Sequence, residues 1–243
     1  MADDEGTPTA YPARGADAVL FDFHGTLATT VDPVLWVTEA AAACGASIDR
    51  GRATVLADRL AAAGGLPGSG RPVRIPPQLA EVWANRDLYE YAHREAYTGL
   101  AATVVCDIEG FAEAVYERVL LAEGWVPYAD ALPTVNALRE AGVAVGVVSN
   151  IGFDIRPMLE VWGFGDVPVM LSYEIGLIKP DPKIFLRACA LLGTPPERTI
   201  MVGDTAADAG AVAAGCRAII LPSAPVGSAN GLSAALALAV QQH

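Results

Sequence analysis

The chain has 243 residues, 53% of them hydrophobic and 18% charged, with a formal net charge of −12. That excludes a disordered polymer, and it excludes a partner gripped through a nucleic-acid backbone, which needs clustered Lys and Arg. No apolar run approaches the roughly 20 residues of a membrane span and the acidic opening Met1-Ala2-Asp3-Asp4-Glu5 carries no secretory signal, so a soluble cytoplasmic protein with no membrane partner is expected.

Residues 1–15 are polar and punctuated by Pro and Gly, which predicts a loose tail. The run Ala18-Val19-Leu20-Phe21 predicts a buried strand, followed at once by Asp22-Phe23-His24-Gly25-Thr26. About 100 residues then pass before the next strand-like run, Val143 to Val148, far more than one crossover helix needs. Residues 30–127 are therefore expected to form a separate inserted helical domain, with helices near 33–44, 50–63, 77–98 and 108–123 and a Gly/Pro-rich loop from Gly64 to Pro77. Beyond it the pattern alternates: helix 130–141, strand 143–148, helix 153–162, strand 168–171, helix 182–192, strand 199–202, helix 207–214, strand 217–221. A loop from Ser223 to Gly231 leads to a terminal helix rich in Ala and Leu. The expected fold is α/β: a Rossmann-like, doubly wound parallel sheet made of residues 16–29 and 128–243, with an inserted α-helical cap.

In open parallel sheets, ligands bind beyond the carboxyl ends of the strands, so polar residues that follow apolar runs carry the chemistry. Those residues are Asp22, Ser149-Asn150 and Gly203-Asp204, with Lys179-Pro180 between the last two. Lys179 and Lys183 are the only lysines, against 14 arginines. A carboxylate nucleophile, a hydroxyl donor, a lysine and an acid pair are the parts that phosphoryl transfer through a covalent aspartyl-phosphate requires. Asp22 would attack phosphorus. A divalent cation would have to screen it from the anionic substrate, and hard oxygen ligands favour Mg²⁺. Asp204 would supply one ligand, and Asp208 would act through water or fix Lys179. Ser149, the amide of Asn150 and the Lys179 ammonium would hold the phosphoryl oxygens.

These motifs resemble the haloacid dehalogenase superfamily, whose pattern runs DxDGT, Ser/Thr, Lys and GDxxxD in this order. They stand here as Asp22-Phe23-His24-Gly25-Thr26, Ser149-Asn150, Lys179-Pro180 and Gly203-Asp204-Thr205-Ala206-Ala207-Asp208. The resemblance implies a Mg²⁺-dependent phosphatase of a small phosphorylated metabolite. It assigns Asp22, His24 and Lys179 to catalysis, Thr26, Ser149, Asn150 and Lys179 to phosphate, and Asp22, His24 (through its backbone carbonyl), Asp204 and Asp208 to the metal. His24 departs from the pattern, because the family's phosphatases carry there the acid that protonates the leaving group. It could be a substitute acid/base, a mark of substrates with good leaving groups, a mark of a module that binds phosphate ligands and hydrolyses them poorly, or a space-filler beneath the cap. The Gly-Asp motif with Asp208 tells against dehalogenation, and an insert without lysine tells against Schiff-base phosphonate cleavage.

In the insert, Arg94 or Tyr97 could face the site, although the segment Tyr89–Tyr97 reads more simply as an amphipathic helix. Arg71 and Arg74 read as solvent charges, Trp36 and Trp83 as core. Neither His93 nor His243 has a metal-spaced partner. Cys44, Cys106, Cys189 and Cys216 form no CxxC pair and are expected to be reduced core thiols.

Overall fold

The computed structural model describes residues 15–69 and 72–240; Arg71, His243 and the tail expected over 1–15, Gly15 excepted, lie outside them. Strand β1 (Ala18–Phe21) leads to β2 (Ala28–Thr30) and then to helices α1 (Pro33–Ala43), α2 (Arg50–Ala63), α3 (Ala80–Asn85), α4 (Glu90–Ala102) and α5 (Phe111–Glu117). Strand β3 (Trp125–Pro127) follows, then α6 (Ala131–Glu140), β4 (Ala144–Ser149), α7 (Arg156–Val161), β5 (Val169–Leu171) and α8 (Ser172–Ile175). The chain ends with α9 (Pro182–Leu192), β6 (Thr199–Gly203), α10 (Ala206–Ala209), β7 (Arg217–Ile220) and α11 (Ser233–Val240).

Five strands form one parallel sheet in the order β5-β4-β1-β6-β7. The alternation along β1 explains why helices cover both faces. Val19 and Phe21 point into a large core shared with Val135 and Leu138 of α6. Leu20 points the other way, into a smaller core with Ile184, Phe185 and Ala188 of α9 and with Met201. The register pairs Phe21 with Val147 on β4 and with Val202 on β6, so the residues that follow these strands emerge together at one rim.

Between β2 and β3 the chain is helical. Asp32 caps α1 by accepting from the amides of Val34 (2.9 Å) and Leu35 (3.2 Å), with Pro33 preset for the first turn. The single helix expected over 77–98 is instead α3 and α4, parted at Arg86–Tyr89. There the Asn85 carbonyl accepts from both Leu88 and Tyr89, and the Asn85 side chain turns back to the Glu81 carbonyl. The helix expected over 108–123 is shorter, because Gly110 takes a left-handed conformation just before α5 and two 3₁₀ turns follow it. The helix expected over 207–214 is the single turn α10 followed by a 3₁₀ turn at Gly210–Ala214. Strands β2 and β3, which pair antiparallel where the chain leaves and rejoins the sheet, had no sequence signal: three residues are too few to show a period.

Cys189 and Cys216 are buried and Cys44 and Cys106 half-buried, and all four thiols are free. Among the described residues no helix is long and apolar enough to cross a membrane.

Candidate active site

Asp22 leaves β1 with its amide bonded to the Val202 carbonyl (2.9 Å), which pins the start of the loop to β6. The Phe23 carbonyl then accepts from the amides of Leu27 and Ala28, closing a tight turn. Gly25 stands in that turn at φ +84°, and a Cβ there would collide with the Asp204 carboxylate and the Ser223 hydroxyl. Glycine therefore lets the first loop and the β6 loop approach each other.

Lys179 is buried, and its Nζ donates to Asp22 Oδ1 (2.7 Å), Asp208 Oδ1 (2.6 Å) and the Val148 carbonyl (3.0 Å). Burial works against its charge, but the two carboxylates outweigh burial and hold its pKa above the ordinary lysine value. Burial pushes the Asp22 carboxyl up, and Lys179 pulls against that shift. Asn150 sets the lysine's backbone: its Nδ2 donates to the Lys179 carbonyl (2.9 Å) and its Oδ1 accepts from the Lys179 amide (2.7 Å). The Asn150 side chain is thus committed to Lys179. Ser149 is buried at the end of β4.

Asp208 is fully buried, and both of its oxygens are occupied. Oδ1 holds Lys179, while Oδ2 accepts from the Thr205 amide (3.0 Å) and hydroxyl (2.7 Å). Of the two roles expected for it, the geometry matches the fixing of Lys179. Asp204 is different. Its Oδ2 accepts from Ser223 Oγ (2.9 Å), its Oδ1 is buried without a partner, and burial raises its pKa. Thr26 Oγ1 is likewise buried and unpartnered; the third such atom among the described residues, Arg118 Nε, lies elsewhere in the sequence. One carboxylate oxygen from each of Asp22, Asp204 and Asp208 falls within a 4.8 Å cluster. Hard oxygen donors with one orphaned buried oxygen fit a small divalent cation.

His24 turns its ring toward the helical layer. A Cβ on Gly68, a residue of the Gly/Pro-rich loop at φ +76°, would come within 2.7 Å of His24 Nε2, and the Trp125 ring meets the imidazole edge-on at 5.3 Å. Burial lowers the His24 pKa, against a raising pull from Asp22. A cavity of about 60 Å³ opens beside Gly68, lined by Thr30, Val31, Trp36 and Leu66 among others.

Arg94, one candidate for facing the site, pairs with Glu117 (2.6 Å) on the surface. Tyr97 packs on His93 (ring centroids 4.7 Å) and Trp83 (5.8 Å). His93 is buried, bonded through Nδ1 to the Tyr116 hydroxyl (3.0 Å), and packed directly over Gly152, two residues beyond Asn150. Sequence reasoning missed Ser172, a fully buried hydroxyl that accepts from the Ile151 amide (2.8 Å) and donates to the Asp87 carbonyl. It ties the α3–α4 turn to the loop carrying Asn150. An isolated serine at a helix start offers no sequence signal for such a role.

The sequence profile of the haloacid dehalogenase-like hydrolases matches residues 16–215. The chain belongs to this family. Among curated relatives, the glyceraldehyde 3-phosphate phosphatase of Methanopyrus kandleri is 39% identical over 82 residues, which are 32% of this chain and 35% of that protein. The phosphoglycolate phosphatase of Aquifex aeolicus is 34% identical over 34% of this chain and 40% of its own length. The (S)-2-haloacid dehalogenase of Pseudomonas putida is 27% identical over 55% and 62%. The chain thus spans between about a third and three-fifths of these family members. Its fold is similar to a dehalogenase crystal structure (TM-score 0.63, 24% identity, covering 93% of this chain and 98% of that one) and to a phosphatase of the family from Thermococcus onnurineus (TM-score 0.55, 24% identity, 93% and 100%).

Proposed function

We propose that this hydrolase is a Mg²⁺-dependent, cytoplasmic phosphatase of a small phosphorylated metabolite. The observation that carries the reading is the orphaned Asp204 Oδ1 within the cluster of Asp22, Asp204 and Asp208, beside a lysine that two of those carboxylates hold. A dication there would be held by Asp22, Asp204 and the His24 carbonyl, with Asp208 behind; it would neutralise the charge of carboxylate and phosphate brought together. The two curated phosphatases support the same reading. An acidic cluster has no use in displacing halide from carbon, so the similarity to dehalogenases speaks for shared fold and ancestry.

In the proposed reaction, Asp22 Oδ attacks phosphorus, and the P–O bond to the leaving group breaks with its electron pair going to that oxygen, which takes a proton from solvent. Water then attacks phosphorus, the bond to Asp22 breaks, the carboxylate is restored and inorganic phosphate is released. Lys179 offsets the phosphoryl charge, and the Thr26 hydroxyl and Ser149 donate to its oxygens. His24, kept neutral by burial, suits the base that takes the water's proton better than the acid that protonates a leaving group. Residues 30–127 act as the cap that closes over the rim.

A second reading is a phosphate-binding module with weak turnover, because His24 stands where the family's phosphatases carry the acid that protonates the leaving group. Phosphate release from sugar, nucleotide, acyl and aryl phosphates, with Mg²⁺ and with chelator, decides between the two when Asp22→Asn serves as control. Turnover that needs both the cation and Asp22, with a phosphorylated Asp22 trapped by acid quench, supports the phosphatase. Ligand binding without any phosphorylated Asp22 supports the module.

A further inference from the structure

The loop that carries Asp22 is held from a part of the chain outside the family-matched residues 16–215. Asn230 is buried, and its Nδ2 donates to both the Gly25 carbonyl (3.0 Å) and the Thr26 carbonyl (3.0 Å). Its Oδ1 accepts from the Ala224 amide (3.1 Å), so every polar function of the amide is used. Asp130, just before α6, fixes Asn230 in turn: Oδ1 accepts from the Asn230 amide and Oδ2 from the Leu232 amide, both at 2.8 Å. Ser228 accepts from the Ala129 amide (3.0 Å), and Ala224 accepts from the Tyr128 hydroxyl (3.1 Å). Residues 128–130, where the chain rejoins the sheet, thus form a bench for the 224–232 loop. Ser223 of that same loop orients Asp204.

We infer that Asn230 is a positioning residue for the candidate nucleophile: it clamps the two carbonyls that follow His24 and so fixes the direction of the Asp22–Thr26 turn, with Asp130 as its anchor. Without the amide, the Thr26 carbonyl loses its donor and the Gly25 carbonyl keeps only the long bond from Ser223 Oγ (3.4 Å), so the turn is held by its own backbone bonds alone. A fixed carboxylate matters because displacement at phosphorus is sensitive to misplacement on the ångström scale. That consequence rests on Asp22 being the reacting group; the clamp itself does not.

The test is Asn230→Ala and the isosteric Asn230→Asp, which sets carboxylate oxygens against the same two carbonyls. Hydrogen–deuterium exchange reads the clamp without any substrate. Exchange in peptides covering 22–28 is expected to accelerate about tenfold or more, while peptides from α4 and α9 stay unchanged. In steady-state assays kcat is expected to fall on the order of 10²-fold with KM unchanged, the signature of a misplaced reacting group. The Mg²⁺ affinity of the substrate-free protein, read by calorimetry, is expected to weaken, since the His24 carbonyl belongs to the same turn. If Asn230→Ala does not fold, Asp130→Asn, which removes one of the two anchoring acceptors, carries the same expectations at smaller amplitude. Uniform exchange changes across the protein, or unchanged exchange at 22–28 with unchanged kcat, overturn the assignment. Should the wild-type protein show no phosphatase turnover, the proposed activity fails and the exchange comparison still decides the clamp.

Discussion

Lys179 Nζ lies 2.7 Å from Asp22 Oδ1, joining two residues 157 apart in the chain at one buried point. The ammonium also meets Asp208 at 2.6 Å, so a single buried cation balances two buried carboxylates. Lys179→Met removes that charge and leaves Asp22 and Asp208 facing each other. The expected cost at neutral pH is about 3–5 kcal/mol, the range for breaking a buried pair. With the lysine gone, burial and the neighbouring Asp208 raise the Asp22 carboxyl pKa of the folded state further above its unfolded value. The variant's stability is then greatest below the unfolded pKa near 4 and is lost as pH rises through the raised folded value of Asp22. Urea unfolding at pH 5 and pH 8 checks this: the gap between variant and wild type narrows at pH 5, and an equal gap at both values sinks the electrostatic account.

Gly68 meets His24 so closely that any Cβ lies within 2.7 Å of the imidazole Nε2, and its φ of +76° penalises a side chain independently. Gly68→Ala is expected to cost about 1–2 kcal/mol for the left-handed backbone and to push the loop off His24. Melting temperature reads the first effect. The second appears as a changed rate of carbethoxylation of His24 by diethyl pyrocarbonate, and an unaltered rate argues that the loop does not shield the ring.

The rim was legible in the sequence for a definite reason. Asp22, Ser149 and Asp204 each follow an apolar run, and strand ends in a parallel sheet converge, so position alone brought them together. What surrounds them was not legible. Asn230 and Ser172 act on backbone carbonyls and amides, which every residue has, so no partner identity marks them; Asn230 reaches Gly25 across 205 residues. The break between α3 and α4 was hidden because Arg86 and Asp87 suit a helix surface, and only the capture of the Asp87 carbonyl by Ser172 shows where the turn is used. His24 was visible as a departure from the family pattern. That its ring faces Gly68 depends on the fold of a loop whose Gly/Pro content predicts irregularity and no particular contact.

Ser172→Ala removes the hydroxyl that joins the α3–α4 turn to Ile151. It leaves the Asp87 carbonyl and the Ile151 amide unpaired in a buried place, at an expected cost of about 1–3 kcal/mol. Ile151 neighbours Asn150, which holds Lys179, so the Lys179 loop is expected to loosen as well. Exchange at residues 149–153 and at 85–90 should rise together. A rise at only one of the two places shows that the hydroxyl serves that segment alone.

His93 supplies the pH dependence of the helical layer. Burial, with a further push from the positive charge of Arg86, lowers its pKa to about 3 from the ordinary 6.5. The unfolded chain therefore takes up a proton as pH falls below 6.5, and the folded chain does not until about pH 3. Protons bound by the unfolded state favour it, so stability is intact above 6.5 and declines through this window, by at most about 1.4 kcal/mol per pH unit from this group. His93→Gln keeps a polar partner for Tyr116 and cannot titrate, so its stability falls less steeply between pH 6.5 and 4 than that of the wild type. Chemical unfolding of both proteins at several pH values across that interval measures the difference in slope. Because other carboxylates contribute equally to both curves, the difference isolates the imidazole, and parallel curves mean that His93 titrates in the folded protein as it does in the unfolded chain.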